Sequence, residues 1–405
     1  MALLFRSGDR TERIISRLQS FVLEAIGEPG RPGFDADVTR GVLGGLAKLY
    51  DAGLEAYLFA ERVGLRRREH LPIPVISIGN LTVGGTGKTP MTQFLCRRLA
   101  GQGKRVAVLS RGHGGSSQTV RLVSDAGGRV LLSAADAGDE PVLLARTLPG
   151  VPVLVGKDRR LSGREALRRF DLDVLVLDDG FQYWQLDRDL DIVLLDARRP
   201  FDNGFPLPRG LLREPKRHLS RAKLVVATRS GRLDSAERTA LARAVAELAP
   251  EAHLFFADHQ ASGLVPADAL NAPLKPLDAL VGTRVAAVSA IAQPQSFVDT
   301  LTRSTGAAVV YQKAWGDHQA ISAAEASAVV EEAVQAGAEA VVMTEKDAVK
   351  WPFSSDARLP LYALRIEMAV EDEMGFMEAV WEETSPQSNL TPPRSSATLS
   401  LLRRG

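Results

Sequence analysis

The clearest chemistry in the chain lies in Gly84-Gly85-Thr86-Gly87-Lys88-Thr89. An apolar run, "IPVISIG", precedes this segment and a helix-like run, "MTQFLCRRLA", follows it. Glycines at such a point let backbone N–H groups turn inward around an anion. The adjoining lysine reaches β and γ phosphates, and the threonine hydroxyl ligates Mg²⁺. The dipole of the following helix adds to anion binding, and Pro90 suits a first turn whose N–H groups have no helical partner. Residues Thr82, Val83, Gly84, Gly85, Thr86, Gly87, Lys88 and Thr89 are therefore read as a nucleotide-binding loop. One departure stands out: the first glycine of the Walker A pattern, five positions before Gly87, is Thr82. A bare "GKT" arises by chance, and its plain alternative is a structural glycine turn. Strand, loop and helix in succession make the match specific.

Such a loop needs a partner strand ending in an acid. "LDVLVLDDG" supplies one, with Val174 to Leu177 apolar and Asp178, Asp179 and Gly180 after them. Carboxylates at a strand's C-terminal end lie near the phosphate loop of an open α/β sheet and hold Mg²⁺ directly or through water. The expected metal ligands are Thr89, Asp178 and Asp179; the bland alternative for the two acids is a solvated turn. Three classes share this apparatus. A GTPase reads guanine with Asn/Thr-Lys-x-Asp, and "TEKD" at 344–347 misses that order. A MinD-like ATPase places a lysine just before the paired glycines, where this chain has Val83. A kinase of a small or lipid substrate remains.

The elements that must position these groups show in the patterning. Residues 11–27 repeat Ile14, Ile15, Leu18, Phe21, Val22 and Ile26 at helical spacing, so 1–40 is read as a helical N-terminal extension. A second helix carries Leu46, Leu49, Tyr50, Leu54, Tyr57 and Leu58 on one side and runs into Arg66, Arg67 and Arg68. Residues 41–70 are read as an amphipathic, membrane-proximal helix. From residue 71 to 251, short β-branched runs alternate with helical stretches, the pattern of a parallel sheet covered on both faces. Residues 252–283 are poorly periodic and are expected to link this domain to a second, smaller α/β domain at 284–383. The polar, proline-bearing stretch 384–405 is expected to be a disordered tail.

Composition bounds the function. The 405 residues carry a formal net charge of +1, without the basic bias of a nucleic-acid binder. A single cysteine, Cys96, excludes an intramolecular disulfide and points to a reducing compartment and a packing role. No apolar run reaches the roughly 18 residues needed to span a bilayer. The charged N-terminus "MALLFRSGDRTER" lacks a signal peptide's apolar core.

Beyond the loop, "GNLTVGGTGKTP", "SRGHGG", "GDEPVLLA", "LDDGFQ", "RDLDIVLLDA", "PRGLLREP", "WGDHQAIS" and "TEKDAVK" follow in this order. Together they resemble the tetraacyldisaccharide 4'-kinase (lipid A 4'-kinase) family over roughly residues 42 to 370. The resemblance implies ATP-dependent phosphorylation of the 4'-hydroxyl of an acylated glucosamine disaccharide 1-phosphate. It implies a P-loop α/β domain with a second α/β domain, and a peripheral enzyme on the cytoplasmic face of the inner membrane. Carried over by motif, the catalytic pair is Asp139 of "GDEP" and His318 of "GDH", with Lys88 on the transferring phosphates. A histidine near its ordinary pKa accepts the proton of a sugar hydroxyl, and a carboxylate assists it. Read without the family, His318 is equally an ordinary surface histidine and Asp139 a turn residue. Arg111, Arg159 and Arg213 are candidates to pair with anionic groups of substrate or nucleotide, or else plain solvated arginines.

Three positions depart from the family pattern: Tyr183 where His is usual, His113 where Tyr is usual, and Gln319 after His318 where a second His is usual. The arginine cluster and apolar face around 42–65 are expected to meet an anionic membrane surface, against the alternative of a helix packed on its own domain. Two other classes remain open from the residues alone: a P-loop kinase of a soluble sugar or nucleoside, and a non-catalytic, nucleotide-gated binding protein.

Overall fold

The computed structural model describes residues 34–385, apart from 66, 114, 116–118, 292, 317–318 and 355–357. The helix expected within 11–27 lies outside the described residues, as do Arg66 and His318; of the tail expected at 384–405, Thr384 ends the last helix and residues from 386 on lie outside the described residues. The first apolar runs form β1 (Val75–Asn80), β2 (Val106–Ser110), β3 (Arg121–Ser124), β4 (Val153–Val155), β5 (Val174–Asp178), β6 (Leu190–Asp196) and β7 (Leu224–Thr228). Further along come β8 (His253–Pro266), β9 (Arg284–Ser289), β10 (Ala308–Ala314), β11 (Ala340–Thr344) and β12 (Leu361–Val370). They join in one sheet of order β10-β9-β11-β12-β8-β7-β6-β1-β5-β2-β4-β3.

Near-continuous apolar strands are what a sheet buried on both faces requires. In β1, Ile76 and Ile78 pack with Met91 and Leu95 of α2 (Lys88–Gly101), while Val75 faces the other way against Leu109, Leu175 and Leu177. Each fully buried Ile or Leu here contributes about 1.5–3 kcal/mol of transfer free energy. Cys96 belongs to the first of these clusters, and burial pushes its thiol far above the ordinary range. That is the inert packing role its spacing suggested. Parallel pairing sets Ile78 opposite Asp178, so the phosphate loop after β1 and the acids ending β5 emerge side by side.

The stretch 252–283, poorly periodic in sequence and expected to link the two domains, carries the 14-residue β8. Its first residues pair parallel with β7, and residues from Ala257 onward pair antiparallel with β12. The strand changes partners midway and its ladder shifts register near Ser262. No single period therefore runs through it, and a periodicity reading passes over it. The two halves are joined by sheet rather than by coil. The last helix, α9 (Glu373–Thr384), returns to the first half. Its Phe376 ring lies 6.0 Å from that of Phe94 in α2 and 5.3 Å from that of Phe255 in β8.

Candidate active site

The loop is shaped by its carbonyls. Arg229 Nη2 donates to Gly85 O at 2.7 Å and Thr228 Oγ1 to Thr86 O at 3.0 Å, both from the end of β7. In a planar peptide the C=O and the next N–H point in opposite directions. Holding these carbonyls outward turns the Thr86 and Gly87 N–H groups to the other side, as an anion cradle needs. Gly87 has φ 93° and begins α2; a Cβ there would lie 2.4 Å from His259 Nε2 and 2.8 Å from Met368 Cε. Thr82, by contrast, sits in a bridge with Leu212, with Val83 N donating to Leu211 O at 2.7 Å. The backbone there has no positive φ, so the position has no need of the glycine that the Walker pattern places there.

Lys88 Nζ donates to Asn80 Oδ1 at 3.3 Å and lies 3.8 Å from Asp179 Oδ1. Asp179, at φ 53°, accepts from Arg213 Nη1 at 2.8 and 3.0 Å. Burial raises the Asp179 carboxyl, but Lys88 and Arg213 outweigh it and hold the group below its ordinary range. Asp178 is buried, accepting from Thr92 Oγ1 at 3.1 Å and Ser110 Oγ at 3.3 Å. Burial, with Glu140 and Asp179 nearby, pushes it up to about 7. Adjacent acids thus stand in opposite electrostatic settings, as in many functional sites.

Asp139 begins α3 (Asp139–Thr147), after Gly138 at φ 92°. Its Oδ2 lies 3.8 Å from Lys350 Nζ at the end of α8 (Glu345–Lys350). Trp351, next in sequence, meets Trp315 edge-on with ring centroids 6.3 Å apart. The near end of "WGDHQ" is therefore beside this junction, while Asp317 and His318 lie outside the described residues. Arg159, at the start of α4 (Arg159–Arg169), is buried with its charge near Asp179 and Asp178. Burial, then the Arg111 charge, lower its pKa. Arg111 is exposed. Arg213 is committed to Asp179 and to Gln182 Oε1 at 3.1 Å. Sequence reading missed Asn80, Gln182, Thr92, Ser110, Arg229, His259 and Lys350. The polar ends of apolar strands were the available signal for Asn80 and Ser110; Arg229 and His259 are brought in by β7 and β8 and have no local signal.

The tetraacyldisaccharide-1-P 4'-kinase family profile matches residues 40–385. A tetraacyldisaccharide 4'-kinase from Geobacter sulfurreducens is 44% identical over 325 residues, covering 80% of this chain and 87% of that protein. The chain belongs to the tetraacyldisaccharide 4'-kinase family. A second such kinase, from Anaeromyxobacter dehalogenans, is 47% identical over 302 residues, 75% of this chain and 76% of that one. The crystal structure of LpxK from Aquifex aeolicus, in complex with ATP, is 28% identical with a TM-score of 0.68, covering 85% of this chain and 99% of that one. As a member of this family the protein is a kinase of lipid A synthesis that transfers phosphate to a hydroxyl.

Two of this kinase's departures from the family pattern have local explanations. Tyr183 donates to Asp158 Oδ1 at 2.7 Å and accepts from Arg159 N at 3.0 Å. It thereby fixes the N-cap of α4 and, with its ring 4.9 Å from the guanidinium, Arg159 itself. Gln319 closes a turn, its Oε1 accepting from Gly316 N at 3.2 Å. Nothing in the structure explains His113. The helix expected over 41–70 is α1 (Phe34–Arg62), and its apolar face splits. Leu58 is buried and Tyr50 donates to Arg213 O at 2.8 Å, whereas Leu46, Leu49 and Phe59 are exposed, Leu49 at 71%. Arg68 is held by Glu61 at 3.0 Å and faces Trp184. Among the described residues no helix is long and apolar enough to cross a membrane. A cavity of about 1090 Å³ opens on the β7–β8 side of the loop, lined in part by Arg229, Arg232, His259 and Arg303.

Proposed function

We propose that the chain transfers the γ-phosphoryl group of ATP to the 4'-hydroxyl of an acylated glucosamine disaccharide 1-phosphate, with Asp139 and His318 activating the hydroxyl. The observation that carries this reading is the cluster in which Lys88, held by Asn80 and Asp179, stands at the start of α2 beside a loop whose N–H groups face inward. Lys88 and the loop N–H groups bind and orient the phosphates, which supplies most of phosphoryl-transfer catalysis. The cavity beside the loop is large enough for the rest of a nucleotide. Asp139 orients or assists His318, which accepts the hydroxyl proton. The residues suit Mg²⁺: Thr89, Asp178 and Asp179 offer oxygen donors, and Asp178, pushed up by burial, gains from a nearby cation. Among the described residues no group of three or more acidic, His or Cys side chains forms a metal cluster. Mg²⁺ typically takes one or two carboxylates and completes its shell with phosphate and water. When bound, it neutralises charge on the phosphates.

The exposed apolar residues of α1 support a peripheral position on an anionic membrane surface, the cytoplasmic face of the inner membrane. Labelled ATP, Mg²⁺ and the disaccharide 1-phosphate lipid in mixed micelles test the whole reading. Label should enter the lipid at the 4' position and should not enter soluble sugars or nucleosides. Transfer to a soluble acceptor instead, or ATP binding with no transfer, would refute it.

A further inference from the structure

Lys350 sits in "TEKDAVK", a motif with no role in the scheme above. Its side chain is 8% exposed, and its Nζ has no hydrogen-bond partner among the described residues. Two carboxylates flank it, Asp139 Oδ2 at 3.8 Å and Asp347 Oδ1 at 3.7 Å. Asp347 Oδ1 is likewise buried without a hydrogen-bond partner among the described residues. Its other oxygen is engaged, accepting from Ala290 N at 3.0 Å and Thr344 Oγ1 at 2.6 Å. Asp347 is thus fixed to the end of β9, and Lys350, one turn later, reaches from the second half to Asp139 in the first.

Burying an ammonium is costly unless it is paired and hydrogen-bonded. Here two carboxylates face one ammonium, yet contacts of 3.7–3.8 Å lie beyond hydrogen-bond length, so its donors find no partner among the described residues. Neutralising Asp347 alone would call for a closer approach between these two residues of one helical turn. The ammonium instead stands almost equidistant from Asp347 and Asp139.

We propose that Lys350 is a positioning residue: its ammonium, anchored in the second half through Asp347, holds the Asp139 carboxylate aimed at the acceptor hydroxyl. This rests on the reading of Asp139 as half of the acceptor-activating pair. Lys350 acts through Asp139 and does not itself touch the reacting atoms.

The test is steady-state kinetics on the full chain carrying Lys350→Met, Lys350→Arg, Asp139→Asn and the Lys350→Met/Asp139→Asn double change. Lys350→Met should lower kcat about tenfold to a hundredfold with the KM for ATP nearly unchanged. Lys350→Arg should recover part of the loss. The double change should cost no more than Asp139→Asn alone. Should Lys350→Met fold poorly, Lys350→Met/Asp347→Asn removes both orphaned charges and should still show the low kcat. A lowered Tm with wild-type kcat, or full recovery of kcat on adding Asp347→Asn, would make Lys350 a structural counter-ion and overturn the inference. Loss of activity in Asp139→Asn but not in Lys350→Met would overturn it alone. Wild-type activity in Asp139→Asn would overturn the reading beneath it as well.

Discussion

In the floor of the phosphate site the carboxylates have found their donors. Asp178 takes Thr92 and Ser110, and Asp179 takes Arg213 with Lys88 close by. Between α3 and α8 the arrangement is the reverse: Lys350 Nζ and Asp347 Oδ1 are buried without a hydrogen-bond partner among the described residues. The first region is built within one half of the sheet, around the adjacent strands β1 and β5 whose register sets Ile78 opposite Asp178. The second is built across the halves, where helices from opposite ends of the chain meet. Preorganised donors suit a group whose position is the same at every stage of a reaction. Reserved donors suit a group completed only when an acceptor arrives.

Breaking the floor should cost most. Lys88→Ala removes the charge on the transferring phosphates, and kcat should fall about a hundredfold to a thousandfold; a fully active variant would show that this loop does not hold the transferring phosphates. Asp139→Asn probes the junction, where kcat should fall about a hundredfold while Tm moves little. A large loss of stability with kcat intact would place Asp139 in the structural class and erase the contrast. The third prediction concerns His259 beneath the loop, faced by Arg229, Asp258 and Asp196. Burial, then Arg229, lower its pKa to about 4. The fold keeps it neutral, so its contribution to stability is full above about pH 6.5 and is lost as pH falls towards 4. The difference is about 3 kcal/mol. Urea unfolding of the wild type minus His259→Gln should show that slope; parallel curves would refute it. The smallest effect belongs to Tyr183→Phe, which deletes the hydrogen bond to Asp158 and should cost about 0.5–1.5 kcal/mol of stability. The effect on kcat should be modest, through Arg159. A loss as large as that of Lys88→Ala would mean that Tyr183 touches the reactants.

Much of the floor was legible because its parts are local. A strand, a glycine turn and a helix N-terminus lie consecutively at 75–101, and "LDDG" closes β5 within one short segment. Apolar runs buried on both faces announced the parallel sheet. The strand within 252–283 was not legible for a physical reason. β8 serves two ladders of opposite direction, and its burial follows neither strict alternation nor a continuous apolar run. The arginine cluster after α1 was read as meeting an anionic membrane surface; that Arg68 also pairs with Glu61 and faces Trp184 was not legible in the charge pattern.

The sequence by itself determined the phosphate loop, the acidic strand end, the family and the buried cysteine, because each rests on neighbours in the chain or on an ordered set of motifs. Only the tertiary structure decided that Arg229 and Thr228 turn the loop's carbonyls outward, that Asp178 and Asp179 stand in opposite electrostatic settings, and that Lys350 reaches Asp139. Those facts depend on strand order, burial and the meeting of residues 211 positions apart. A carboxylate's pKa and an ammonium's partner are set by what packs around them, which no local run of residues specifies.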